Sequence, residues 1–184
     1  MDHATLLKAA QRLVRPDERI LLPDFISEDD RRHLLDWAFS TEPYLRENGP
    51  ARLCRKTGFI PHIDAHYHDV RLAIQRRMGL PEDSAPEPDH GWLVSIIRDS
   101  GAVHPHTDSA PPGTRHLRCN LFLQLPDAGG RPVIAGIPID VTERMVLAFY
   151  PSERMHWSEP CAGDRARVML SFGYLVPADY RLPG

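Results

Sequence analysis

The hydrophobic positions of this chain change period near residue 90. Before that point they recur every three or four residues, the spacing of a helix with one buried face. Residues 4 to 14 place Leu6, Ala10 and Leu13 on one stripe and stop before Pro16, which predicts a first helix. Ile20-Leu21-Leu22 predicts a short strand. Ser27, with Asp30 three residues on, has the pattern of a capping box. The helix it opens would bury Leu34, Trp37 and Ala38. Residues 67 to 78 predict a third helix through Val70, Ile74 and Met78, stopped by Gly79 and Pro81. Residues 80 to 90 contain Pro81, Pro86 and Pro88 and read as a loop. Beyond His90 the period falls to two. Residues 92 to 98 predict a strand. Leu117, Cys119, Leu121, Leu123 and Leu125 alternate with His116, Arg118, Asn120, Phe122 and Gln124, the clearest strand in the chain. Asp127-Ala128-Gly129-Gly130 predicts a turn, and residues 133–139, 145–150 and 167–176 predict further strands. Helices first and many short strands afterwards predict an α+β chain with an all-β core.

Composition narrows this picture. A length of 184 residues suits one domain spanning 1–184, with a helical part over about 1–90 and a strand-rich core over about 91–177. Eighteen prolines favour short elements over a helical bundle. A net charge of −3 without a basic block gives nucleic-acid binding little electrostatic support, so no nucleic-acid partner is expected. No apolar run reaches the roughly 20 residues that cross a membrane, and the N-terminus lacks the regions of a signal peptide. Cys54, Cys119 and Cys161 are odd in number and far apart, so neither a disulfide framework nor a zinc knuckle is expected. A reducing cytoplasm is the expected compartment, and a monomer or homodimer the expected assembly.

The candidate chemistry begins at His106-Thr107-Asp108, with His156 fifty residues later. Two imidazoles and a carboxylate form the set that holds non-haem iron(II) on one face and leaves positions open. Residues two apart on a strand point to one face, so one strand end can present both His106 and Asp108. A jelly roll could bring His156 to them. The tripeptide alone is a weak motif, since His62-Ile63-Asp64 matches it as well. Downstream, Arg165 and Arg167 share a strand face with Ser171, and a guanidinium there could grip a carboxylate with two parallel hydrogen bonds. Arg118 and Asn120 share a face of the long alternating strand.

Together these segments resemble the iron(II)- and 2-oxoglutarate-dependent oxygenase superfamily, in its prolyl-hydroxylase-like branch, over roughly residues 20 to 177. Residues 98–108 resemble the family's approach to its first metal ligands. Residues 121–130 resemble its apolar strand and Gly-Gly turn, and Met145-Val146-Leu147-Ala148-Phe149 followed by His156 resembles the route to its distal histidine. Residues 163–172 resemble the segment whose arginine binds the cosubstrate. The resemblance implies a double-stranded β-helix (jelly-roll, cupin-like) with N-terminal helices on one sheet. It implies Fe(II) held by His106, Asp108 and His156, and 2-oxoglutarate held by Arg167, or by Arg165 as second choice, with Asn120 or Arg118 assisting. It also implies hydroxylation of an unactivated C–H bond with O2, releasing succinate and CO2. A small molecule, an amino acid or a peptidyl residue is the implied substrate. Gly173 after Phe172 departs from the family's pattern, where an aromatic ends the last strand motif, and leaves the arginine register open.

Two other readings stand beside this one. A metal-binding cupin-type protein would use a related barrel without 2-oxoglutarate. A non-catalytic, oxygenase-like interaction domain would keep the scaffold and lose a ligand. His66, Tyr67, His68, Arg98, Arg115, Arg118 and Trp157 are further candidates for the pocket wall.

Overall fold

A computed structural model describes residues 19–183. The helix expected over residues 4–14 lies outside them. The strands are β1 (Arg19–Leu22), β2 (Arg46–Glu47), β3 (Arg52–Lys56), β4 (Trp92–Ile97), β5 (Thr114–Gln124) and β6 (Ala128–Gly129), followed by β7 (Pro132–Ile134), β8 (Ile137–Pro138), β9 (Val146–Phe149), β10 (His156–Ser158), β11 (Cys161–Ala162) and β12 (Arg167–Pro177). The helices are α1 (Glu28–Ser40) and α2 (Ala65–Arg77).

Both helices start where their caps require. Ser27 Oγ accepts the Asp30 amide proton at 3.0 Å and donates to Asp30 Oδ2 at 2.6 Å. A cap of this kind is worth about 1 kcal/mol. Asp64 caps α2 by accepting from the His66 amide at 2.7 Å. The apolar stripes of α1 (Leu34, Trp37, Ala38) and α2 (Tyr67, Val70, Ile74) are buried against the larger sheet.

That sheet has seven strands in the order β1-β9-β5-β12-β4-β3-β2, each pair antiparallel. A smaller sheet, β10-β7-β8, accompanies it, and β11 pairs with β6. The chain is a double-stranded β-helix with helices on the outer face of its larger sheet. Alternation along β5 divides the interior in two. Leu117, Cys119, Leu121 and Leu123 join the helix-side core, while Phe122 joins a second cluster with Ile134, Ile137, Ile139, Leu147, Phe149 and Met169. The second cluster closes one end of the space on the sheet's other face. The open end is the candidate site.

Three details depart from the sequence reading. Besides the expected strand at Ile20-Leu21-Leu22, now β1, the part read as helical gives β2 and β3 to the larger sheet. Residues 133–139 form a hairpin, not one strand, because Ala135 (φ 51°) and Gly136 (φ 79°) turn the chain between β7 and β8. The segment holding His106 and Asp108 joins no ladder beyond a single bridge between His106 and His156. Among the described residues, no helix is long and apolar enough to cross a membrane.

Candidate functional site

The approach to the site is set by Gly101. A Cβ there would lie 2.7 Å from Ile97 Cγ2 and 2.9 Å from the Ala51 carbonyl oxygen, so only glycine lets the chain pass. Beyond it, backbone hydrogen bonds place the ligand candidates. The His106 amide donates to His156 O at 3.1 Å, and the His156 amide donates to His106 O at 2.9 Å. The Asp108 amide donates to Pro151 O at 3.0 Å. Residues fifty apart are thereby locked side by side, with the two imidazole centroids 4.2 Å apart.

One ligand atom from each of His106, Asp108 and His156 lies within 4.8 Å of the other two. Their protonation suits a cation. His106 Nδ1 lies 2.7 Å from His104 O and His156 Nδ1 lies 3.1 Å from Arg154 O. A carbonyl only accepts, so each Nδ1 carries the proton and each Nε2 keeps a lone pair for a metal. Burial lowers the His156 pKa to about 4, which keeps the ring neutral. Burial alone would raise the Asp108 carboxyl, but contact with His106 and the charge of Arg118 hold it well below the ordinary carboxylate range. Asp108 Oδ1 is buried and has no hydrogen-bond partner, while sitting 3.3 Å from His106 Nε2. An ionised, unpartnered oxygen beside two available imidazole nitrogens fits a divalent cation. The same contact with Asp108 raises the His106 pKa, a proton standing where a cation would serve.

Asp108 has support behind it. Its Oδ2 lies 3.3 Å from His116 Nδ1 and 3.5 Å from Arg118 Nη2. Arg118 also donates to Ser171 Oγ at 2.9 Å. Glu87 closes the network, 3.9 Å from Arg118, and accepts the amides of Asp89, His90 and Gly91 at 2.7, 2.8 and 3.1 Å.

The cavity holds about 590 Å³, counting its mouth. Its walls include the three ligand candidates together with Arg118, Asn120, Arg167, Met169 and Ser171. Register explains the set. Met169 pairs with Phe122, and Ser171 pairs with Asn120, so β12 and β5 send alternate side chains into one space. Arg167, only 3% exposed, is the deepest cation. Burial pulls its pKa to about 10, so it stays charged at neutral pH. Nε and Nη1 are buried without partners, and Nη2 has only a 3.6 Å contact with Met169 Sδ. A buried guanidinium with two idle donors fits a bidentate anion such as a carboxylate.

Arg165 does not share this space. β12 begins at Arg167, and Arg165 stands before it on the surface, bonded to Glu143 at 2.6 Å. The expectation that both arginines project from one strand face is corrected accordingly. Of the other pocket candidates, Arg118 and Trp157 line the cavity. Arg98 pairs with Glu42, Arg115 with Glu153 and His66 with Asp30, while Tyr67 and His68 line a different cavity. His62 belongs to no metal-ligand cluster among the described residues. The sequence reading missed Glu87, His116 and Arg52. For His116, its place on the same strand face as Arg118 and Asn120 was the available signal.

No protein-family profile and no curated protein matches this sequence. Solved structures do. A prolyl-4-hydroxylase from Pseudomonas putida is 17% identical, with a TM-score of 0.61 over 97% of this chain and 100% of that one. A viral collagen prolyl hydroxylase from Paramecium bursaria Chlorella virus-1, in complex with 2-oxoglutarate, is 13% identical, with a TM-score of 0.61 over 89% and 98%. HygX from Streptomyces hygroscopicus, with nickel and 2-oxoglutarate bound, is 9% identical, with a TM-score of 0.64 over 97% and 88%. The fold is therefore the one shared by 2-oxoglutarate-dependent oxygenases, prolyl hydroxylases among them. At these identities the likeness speaks to the fold.

Proposed function

We propose that this chain is an iron(II)- and 2-oxoglutarate-dependent dioxygenase that hydroxylates an unactivated C–H bond. The observation that carries the reading is the pairing, in one cavity, of a two-histidine, one-carboxylate cluster with the wholly buried Arg167. A metal-only cupin would have no use for a desolvated guanidinium with idle donors. A non-catalytic scaffold would have no use for a complete ligand set.

In this reading His106, Asp108 and His156 hold the metal. Arg167 holds the C5 carboxylate of 2-oxoglutarate, and Asn120, on the neighbouring strand, assists through its side-chain amide. When bound, the iron and its cosubstrate supply the oxidation: one atom of O2 enters the substrate as hydroxyl, the other enters succinate, and CO2 leaves. The protein's own work is placement. The two Nδ1 protons on backbone carbonyls aim both Nε2 atoms at one point. Arg118 and His116 hold Asp108 ionised and fixed in orientation. Phe149, Met169 and Ile134 keep the inner wall apolar and exclude water. The substrate would be a small molecule, a free amino acid or an amino-acid residue on a peptide.

The test is succinate formation from 2-oxoglutarate by the purified protein across a broad substrate panel. The reading predicts turnover that requires Fe(II) and vanishes in Asp108→Ala. Iron affinity that survives Asp108→Ala unchanged would overturn the ligand assignment.

A further inference from the structure

The mouth of the cavity carries four cations that have no carboxylate partner among the described residues. Arg46, Arg52, Arg55 and Lys56 line a second cavity that shares Arg52, His90 and Leu93 with the first. Several other arginines are paired instead: Arg31 with Glu28, Arg98 with Glu42, Arg131 with Glu159 and Arg165 with Glu143. None of the four mouth cations stands in an ion pair among the described residues. Arg55 donates to Tyr44 O, and Lys56 Nζ donates to Pro88 O, each at 2.7 Å. Asp89, the carboxylate in the same wall, accepts from Ser109 Oγ at 2.9 Å instead. The chain's net charge is −3, so an excess of cations does not explain the segregation.

Register puts three of the four, Arg46, Arg52 and Lys56, on the cavity's face of the sheet, while Arg55 stands on the other face, opposite Val94. Arg52 pairs with Ile97 of β4, and Ile97 pairs with Arg167 of β12, so the two arginines share one row and one face of the sheet. Lys56 likewise shares a row with Leu93 and Ser171. Arg46 pairs with Cys54 on that face as well. Two strand spacings separate the backbones of Arg52 and Arg167, roughly 10 Å. Arg52 Nε is buried without a hydrogen-bond partner, as Arg167 Nε is. The row therefore carries two idle guanidiniums, one deep and one at the mouth.

We propose that Arg52, backed by Lys56 and Arg46, binds an anionic group, a carboxylate or a phosphate, on the molecule that is hydroxylated. The inference rests on the oxygenase reading for the identity of that molecule, and on geometry alone for the anion. Arg167 takes the cosubstrate's carboxylate at the floor. Arg52 takes the substrate's charge at the entrance and fixes how the substrate lies over the metal. Lys56 and Arg46 add long-range attraction that raises the rate of encounter.

The test uses metal-free protein and two probes, sodium acetate and inorganic phosphate, in separate titrations at constant ionic strength made up with chloride. Backbone amide NMR shifts at residues 52–56 and 90–93 should saturate with one or both. Arg52→Gln should weaken that binding roughly tenfold or more, the loss of one charge-assisted pair. Arg32→Gln, on α1, should leave it unchanged. Tighter phosphate binding would assign a phosphorylated substrate, and tighter acetate binding a carboxylic acid. No saturable shift with either anion, or an identical titration in Arg52→Gln, would overturn the proposal. A parallel titration of 2-oxoglutarate with Mn(II) separates the roles. Arg52→Gln should keep wild-type affinity, and a loss as deep as that of Arg167→Gln would move Arg52 to the cosubstrate and overturn the substrate assignment. Wild-type protein that bound the anions at Arg52 but no 2-oxoglutarate would defeat the oxygenase reading and leave the anion site standing.

Discussion

Replacing Arg167 with methionine should move stability and cosubstrate binding in opposite directions. The guanidinium is buried, its Nε and Nη1 have no hydrogen-bond partners, and what remains is a 3.6 Å approach of Nη2 to Met169 Sδ and a position over the Phe122 ring, 5.6 Å from its centroid. Each buried, unsatisfied donor costs about 1–3 kcal/mol. Water at the cavity's open end relieves part of that, so a net cost of about 1–3 kcal/mol is the reasonable figure for the pair. Methionine fills much of the volume, keeps apolar contact with Phe122 and carries no donor. Arg167→Met should therefore stabilise the metal-free protein by about 1–3 kcal/mol, read from urea denaturation at neutral pH. The same change should weaken 2-oxoglutarate, titrated with Mn(II) present, by about 2–5 kcal/mol. That is a loss of roughly thirtyfold to several thousandfold. A residue serving only the fold would behave in reverse. A destabilised Arg167→Met that bound 2-oxoglutarate normally would refute the reasoning.

Other outcomes follow from neighbouring residues. Arg165→Ala should leave 2-oxoglutarate affinity unchanged and cost no more than about 1 kcal/mol, because it removes one exposed ion pair with Glu143. Asp108→Asn should abolish Mn(II) binding measured by calorimetry while the chain stays folded, since the amide keeps the side chain's shape and gives up only the charge that His106 and Arg118 favour. Burial would raise the Glu87 carboxyl, but three backbone amides hold it below its ordinary value. Its contribution to stability is therefore complete above the ordinary carboxylate pKa and is lost as pH falls through the lowered one. Glu87→Gln should cost about 1–3 kcal/mol at neutral pH and narrow the gap to wild type in acid, as urea midpoints across pH would record.

How much of this was legible in the sequence depended on how each segment is buried. The strand β5 could be read because its odd residues meet the helices and its even residues meet the cavity, so alternation survived although both faces are buried. The start of α1 could be read because Ser27 and Asp30 make local bonds that need no tertiary context. The strand β3 was missed because Arg52, Arg55 and Lys56 leave it no apolar face, and its place in the sheet comes from pairing with β4. The hairpin β7–β8 was merged into one strand because Ala135, not a glycine or asparagine, holds the first positive φ of the turn. The metal triad could be named from residue types and order, but its geometry comes from a single bridge between His106 and His156. The Arg165 alternative persisted because residues two apart look equivalent until the strand's first residue is fixed. The support that reaches Asp108 through His116 and Glu87 needs contacts across 8 residues (His116 to Asp108) and 29 residues (Glu87 to His116), and no local pattern announces it.

The most direct measurement is a crystal structure of the protein grown with Mn(II) and 2-oxoglutarate. The account predicts one metal at about 2.0–2.3 Å from His106 Nε2, His156 Nε2 and an Asp108 carboxylate oxygen. It also predicts the far carboxylate of 2-oxoglutarate on Arg167. Metal held by any other set of side chains, or 2-oxoglutarate bound away from Arg167, would contradict it.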